Sequence, residues 1–102
     1  MTVPPRILVA GAGPVGLSAA CALADAGVPV TVLEAEPRLP QTLRASTFQP
    51  PTLDLLDRFG ATAKLIEMGR VARKVQYRDR AGWVAELDFG VLANDTRHPY
   101  RV

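Results

Sequence analysis

Apolar and polar positions change their period three times along the chain. Ile7-Leu8-Val9-Ala10 is continuously apolar, which predicts a strand of the parallel type, buried on both faces. Gly11 to Gly13 then forms a turn. From Pro14 to Ala26 the residues are small or helix-favouring, with Leu17, Ala20, Cys21 and Ala24 at helical spacing on one face. Pro14 suits the first helical turn, where a missing N–H costs nothing. Gly27 suits the position just past the helix end. Val30-Thr31-Val32-Leu33 reads as a second strand. The three elements make one β-α-β unit, expected to cross over right-handed.

Residues 35 to 49 show no period, and Pro37 and Pro40 support a loop. Pro50-Pro51 opens a short helix over 52–59, with Leu53, Leu56 and Phe59 on one stripe and Gly60 ending it. A second helix over 61–68 is expected to end at Gly69 in the same way. Beyond it the period drops to two. Val75 and Tyr77, then Trp83, Ala85, Leu87 and Phe89, alternate with polar residues around Asp79-Arg80-Ala81-Gly82, predicting a hairpin with one apolar face. Residues 94–102 suggest no element. The expected fold class is α/β: a Rossmann-like β-α-β unit (6–34), loop and short helices (35–69) and a β-hairpin (73–89), with an incomplete sheet.

Composition narrows the function. A chain of 102 residues makes one small domain, and 48% hydrophobic with 22% charged residues is a globular balance. A net charge of +2 without a basic run gives no case for nucleic acid. No apolar stretch approaches a membrane span. Cys21 is the one cysteine, so no internal disulfide forms; a reducing, cytoplasmic setting is expected.

The strongest chemical signal is G-x-G-x-x-G at Gly11, Gly13 and Gly16. Such a motif is weak alone, but here it lies between a strand and a helix. Gly11 permits the turn out of the strand. Gly13 lets a pyrophosphate approach the backbone, and Gly16 lets the helix pack on the strand. Pro14 and Val15 lie in the same helix start, whose N–H groups and dipole favour phosphates. Glu34, 23 residues after Gly11, ends the second strand and precedes Ala35. A carboxylate there accepts ribose hydroxyls and repels a 2′-phosphate, so NADP is disfavoured while FAD and NAD remain. The competing readings are a glycine-rich turn in another α/β protein and, for Glu34, a solvated loop acid. Glu36 lies one step further into the loop.

With the glycine motif, "RASTFQPPTLDLLDRFG" from Arg44 to Gly60, the hairpin and the closing "HPYRV", the chain resembles the single-component (group A) FAD-dependent aromatic hydroxylases, the p-hydroxybenzoate hydroxylase-like flavoprotein monooxygenases. The resemblance covers nearly the whole sequence. It implies that the Gly11–Gly16 turn holds the FAD pyrophosphate, that Glu34 holds the adenosine ribose, and that Arg44 reaches the phosphate–ribose region. A guanidinium fork suits phosphate oxygens; otherwise Arg44 is a solvated loop arginine. Arg38 reads as surface charge. Gln49 stands where relatives often have histidine, and no role is carried onto it.

The resemblance further implies NADH or NADPH as co-substrate, with O2 and a small phenolic or polyketide-like aromatic as reactants. Members are several times longer and carry Asp-Gly and Gly-Asp motifs that this sequence lacks. The chain is therefore expected to be an N-terminal piece, inactive alone, with catalytic residues beyond position 102. The open edge of its sheet is expected to be covered by a further part of the protein or a second copy. Rival readings are another FAD-dependent oxidoreductase (an oxidase, reductase or halogenase) and a non-catalytic nucleotide-binding module.

Other candidates are thin. His98, the only histidine, has no partners for a zinc site and reads as a surface or packing residue. Cys21 reads as buried and inert. Ser18 has no His or Asp partner for nucleophilic catalysis. Asp54 and Asp57 read as a solvent face, and Trp83 with Phe89 as hairpin core.

Overall fold

The structure, a computed structural model, describes residues 4–42, 44 and 46–102. Ala45, inside the Arg44–Gly60 motif, lies outside the described residues. The chain divides into two compact units, Met1–Thr42 and Leu43–Val102.

In the first unit, β1 (Ile7–Ala10) pairs in parallel with β2 (Val30–Leu33), Ile7 opposite Val30 and Ala10 opposite Leu33. Helix α1 (Pro14–Asp25) connects them. The strands coincide with the apolar runs that predict them, and α1 ends at Asp25, one residue before the expected Ala26. At the end of α1 the Gly27 N–H bonds the Ala24 carbonyl and the Val28 N–H bonds the Leu23 carbonyl. This paired closure needs a left-handed residue between, and Gly27 supplies it at φ +75°.

The buried stripe of α1 differs from the expected one. Ala20 is buried, and Gly16, one turn earlier, comes within 3.3 Å of Val9 Cγ1 when given a Cβ. Leu17 and Cys21, one position on, are exposed. Closest approach to the sheet goes to the smallest side chains, so the line Gly16–Ala20 faces inward and its larger neighbours turn out. Cys21 is thus neither buried nor part of a core. Nor is β1 enclosed on both faces: Ile7 is 44% and Leu8 62% exposed. Among the described residues of this unit one strand and one helix cover it.

The second unit begins with α2 (Pro50–Asp57) and α3 (Ala61–Met68). Two prolines open α2 where no N–H is needed. Its last turn tightens, with Arg58, Phe59 and Gly60 each bonding the carbonyl three residues back. Gly60 (φ +74°) reverses the chain into α3. Leu53 and Thr62 are fully buried where the helices meet, and the Thr62 hydroxyl donates to the Leu53 carbonyl. Gly69 ends α3 differently from Gly60. Its backbone is extended, and glycine is needed there for space, since a Cβ would lie 2.7 Å from Val102 Cγ1 and 2.9 Å from the Leu65 carbonyl oxygen.

Strands β3 (Lys74–Asp79) and β4 (Gly82–Asp88) form the antiparallel hairpin. Asp79 Oδ1 accepts the Ala81 and Gly82 N–H groups at the tip, and Gly82 adopts φ +126°. Tyr77 pairs with Ala85, but Arg78 pairs with Trp83, so the register slips by one residue at a bulge. The slip moves Trp83 off the Val75–Tyr77–Ala85–Leu87 face and onto that of Arg78. Trp83 is 61% exposed rather than core. Phe89, expected to continue the strand, opens a 3₁₀ turn (Phe89–Leu92) capped by Asp88 Oδ1 and is buried.

The final residues are ordered by pairing that sequence periodicity does not reveal. Ala72 and Arg101 exchange both backbone bonds, and so do Phe48 and Val102. Single-residue bridges are too short to impose a period.

Candidate functional site

β1 and β2 end side by side. The Gly11 N–H donates to the Leu33 carbonyl at 2.7 Å, tying the start of the turn to the end of β2. Gly11 leaves the strand at φ +104°, a conformation strained for any side chain. A Cβ on Gly16 would overlap the Gly11 carbonyl. Gly11 is therefore required by conformation and Gly16 by packing. Gly13 is required by neither: its backbone is ordinary extended N-cap geometry, and nothing lies within 4 Å of a Cβ built there. What that glycine preserves is open space in front of the helix.

The first turn of a helix leaves its N–H groups without intrahelical acceptors. At α1 these belong to Gly13, Val15 and Gly16, because Pro14 has none. Together with the positive end of the helix dipole they make an anion-binding end. Beside it runs a groove of about 430 Å³ lined by Ala10, Gly11, Leu33, Glu34 and Ala35.

Glu34 Oε2 accepts the Ala12 N–H at 2.8 Å and Oε1 accepts the Glu36 N–H at 2.9 Å. These donors, Glu36 foremost and then Ala12, hold its carboxyl below the usual carboxylate range. It is ionised at neutral pH and purely an acceptor. A carboxylate offers about four acceptor directions, so two remain for a vicinal diol. The hold of Glu34 on Ala12 is not readable from spacing, which places an acid at the end of the second strand but not on the turn itself.

Of the expected site residues, Gly11, Gly13, Pro14, Val15, Gly16, Glu34 and Ala35 gather at this end of the first unit. Arg44 belongs to the second unit and is exposed. Ser18 donates back to the Pro14 carbonyl and stays a helix residue.

The second unit holds a polar cluster that the sequence reading passes over. His98 is buried rather than superficial. Its Nδ1 lies 2.9 Å from the Tyr100 hydroxyl, and its Nε2 lies 3.3 Å from Asp57 Oδ2 and 4.0 Å from Asp54 Oδ1. Thr96 donates to Asp54, and Arg97 pairs with Asp57 at 3.1 Å. Asp54 and Asp57 thus face the closing segment and not solvent alone. Residues some forty positions apart carry no linear signal of such a meeting. Among the described residues no His/Cys/Asp/Glu group is arranged to hold a metal, and no helix is long and apolar enough to cross a membrane.

Comparison with known proteins identifies the family. Residues 5–98 match the family described as FAD binding domain. The chain belongs to that family. It is 41% identical over 95 residues to para-nitrophenol 4-monooxygenase of Pseudomonas sp. (strain WBC-3), covering 92% of this chain and 24% of that protein. It is 33% identical over 103 residues to 6-hydroxy-3-succinoylpyridine 3-monooxygenase HspB of Pseudomonas putida (strain DSM 28022 / S16), covering 98% and 26%. The crystal structure of p-nitrophenol 4-monooxygenase PnpA from Pseudomonas putida DLL-E4 superposes with a TM-score of 0.84 at 39% identity, covering 99% of this chain and 26% of that one. The chain spans about a quarter of the length of the relatives it matches.

Proposed function

We propose that this chain holds the adenosine diphosphate portion of FAD for a monooxygenase that hydroxylates a small phenolic or related aromatic ring, with O2 and NADH or NADPH as co-substrates. The observation that carries the reading is Gly13. Neither strain nor packing explains a glycine there, whereas a phosphate against the helix start does. The first-turn N–H groups of α1 would receive the pyrophosphate, and the free acceptor directions of Glu34 the ribose diol. Arg44 would give its guanidinium to a phosphate oxygen. When bound, the flavin supplies electron transfer and oxygen activation. The chain's own part is to bind and orient the nucleotide end.

That one family description covers residues 5–98 supports treating both units as one FAD-binding domain. The monooxygenase names of the relatives support the reaction class. A cytoplasmic setting accords with a single, unpaired cysteine.

The test is the visible spectrum of the purified chain after incubation with FAD and desalting, alongside calorimetric titration with ADP. Retained flavin bands, weakened at least tenfold in affinity by Glu34→Ala and by Arg44→Ala, support the reading. A soluble, folded chain that takes up neither FAD nor ADP overturns it.

A further inference from the structure

Two neighbouring residues at the end of β2 hold two neighbouring residues of the glycine turn. The Leu33 carbonyl takes the Gly11 N–H, and the Glu34 carboxylate takes the Ala12 N–H. At the far end the Gly13 carbonyl is fixed by the Leu17 N–H at 2.9 Å. Between those two anchors lies Ala12, flanked on both sides by glycine, the residue least restricted in φ and ψ. Its tether among the described hydrogen bonds is Glu34.

We infer that Glu34 is a positioning residue for the phosphate end of the site as well as the acceptor for its ribose end. By fixing the Gly11–Ala12 peptide plane at one end, with the Gly13 carbonyl held at the other, it narrows the orientations open to the peptide between them, which carries the Gly13 N–H. The inference rests on the nucleotide-binding reading and gives it a coupling: one side chain serves both halves of the ligand.

Simple electrostatics requires the opposite effect. A carboxylate near an anion site repels the anion, so removing it should tighten phosphate binding. Positioning requires that removal loosen it, because a turn held only at its two ends must then be ordered at its centre by the ligand itself. The two accounts differ in sign.

The experiment compares the wild-type chain with Glu34→Ala and Glu34→Gln. Inorganic pyrophosphate and ADP are titrated by calorimetry, and amide hydrogen exchange is followed by NMR. In Glu34→Ala the Ala12 amide should exchange at least tenfold faster, and pyrophosphate should bind several-fold more weakly. Glu34→Gln keeps an oxygen for the Ala12 N–H and loses the charge. It should protect Ala12 and bind pyrophosphate at least as well as wild type. Unchanged amides in β1 and in the Leu23–Val28 closure establish that both variants are folded.

Tighter pyrophosphate binding in Glu34→Ala, or unchanged exchange at Ala12, overturns the inference. Failure of the wild-type chain to bind ADP or pyrophosphate overturns the nucleotide reading instead, and accelerated Ala12 exchange in Glu34→Ala would still report the tether.

Discussion

Gly16 lies so close beneath Gly11 that a Cβ on the first would overlap the carbonyl oxygen of the second. The obstacle is backbone, and it also closes the turn that leaves β1. Gly16→Ala is therefore expected to destabilise the chain by about 3 kcal/mol or more, at the upper end of overpacking costs, since no side chain can move aside. Urea unfolding followed by far-ultraviolet circular dichroism checks this.

Gly13→Ala is expected to behave in the opposite manner. The added methyl meets nothing, and an alanine N-cap costs on the order of 0.5–1 kcal/mol. Stability should fall little, while affinity for FAD or ADP falls at least tenfold. Equal losses of stability in the two variants would contradict the assignment of packing to Gly16 and ligand space to Gly13.

The acid limb of stability should carry a contribution from Glu34. Its folded-state carboxyl is held below the ordinary value by the Glu36 and Ala12 N–H groups. The stabilisation is thus complete above the unfolded-state value and is lost as pH falls through the lowered one. Glu86, held down by Gln76 and then Lys74, and Asp88, held down by the Gly90 N–H, contribute with the same sign. The part owed to Glu34 is the difference between wild type and Glu34→Gln. That difference in urea midpoint should be steady near neutral pH and shrink in the acid range.

At the junction of α2 and α3, Leu53 and Thr62 have no exposure. Leu53→Ala is expected to cost about 2–5 kcal/mol through lost burial and the cavity left behind. Thr62→Val preserves the shape and removes the hydroxyl that donates to the Leu53 carbonyl, at a cost of about 1 kcal/mol. Thermal or urea unfolding of the two variants checks the order.

How much of this was legible in one dimension depends on the range of each signal. Period and punctuation are local, so Ile7–Ala10, Val30–Leu33 and Ala61–Met68 emerge at their observed bounds. Gly11, Gly16 and Gly27 are also local: each answers to a turn or a contact within one β-α-β unit. The errors concern how elements face one another. Strict alternation gives the hairpin one core face with Trp83 on it; a bulge moves Trp83 to the other face, and the face it leaves is open as well, with Tyr77 58% and Leu87 43% exposed. Asp54 and Asp57 read as a solvent face and His98 as a surface or packing residue, with nothing to link them, because they meet only in the fold. In the candidate site, spacing brought Glu34 to the correct strand end. It could not disclose the bond to Ala12, which depends on the rotamer of one side chain.

The open hairpin also decides what the chain's own light reports. Trp83 is the single tryptophan, 61% exposed and paired across the hairpin with Arg78. Its fluorescence should already be red-shifted in the folded chain and should change little when Leu53 and Thr62 part. An intrinsic emission assay would then register loosening of the hairpin tip and overlook collapse of the helical core. A melting curve read at that wavelength alone would describe a different event from one read by backbone dichroism.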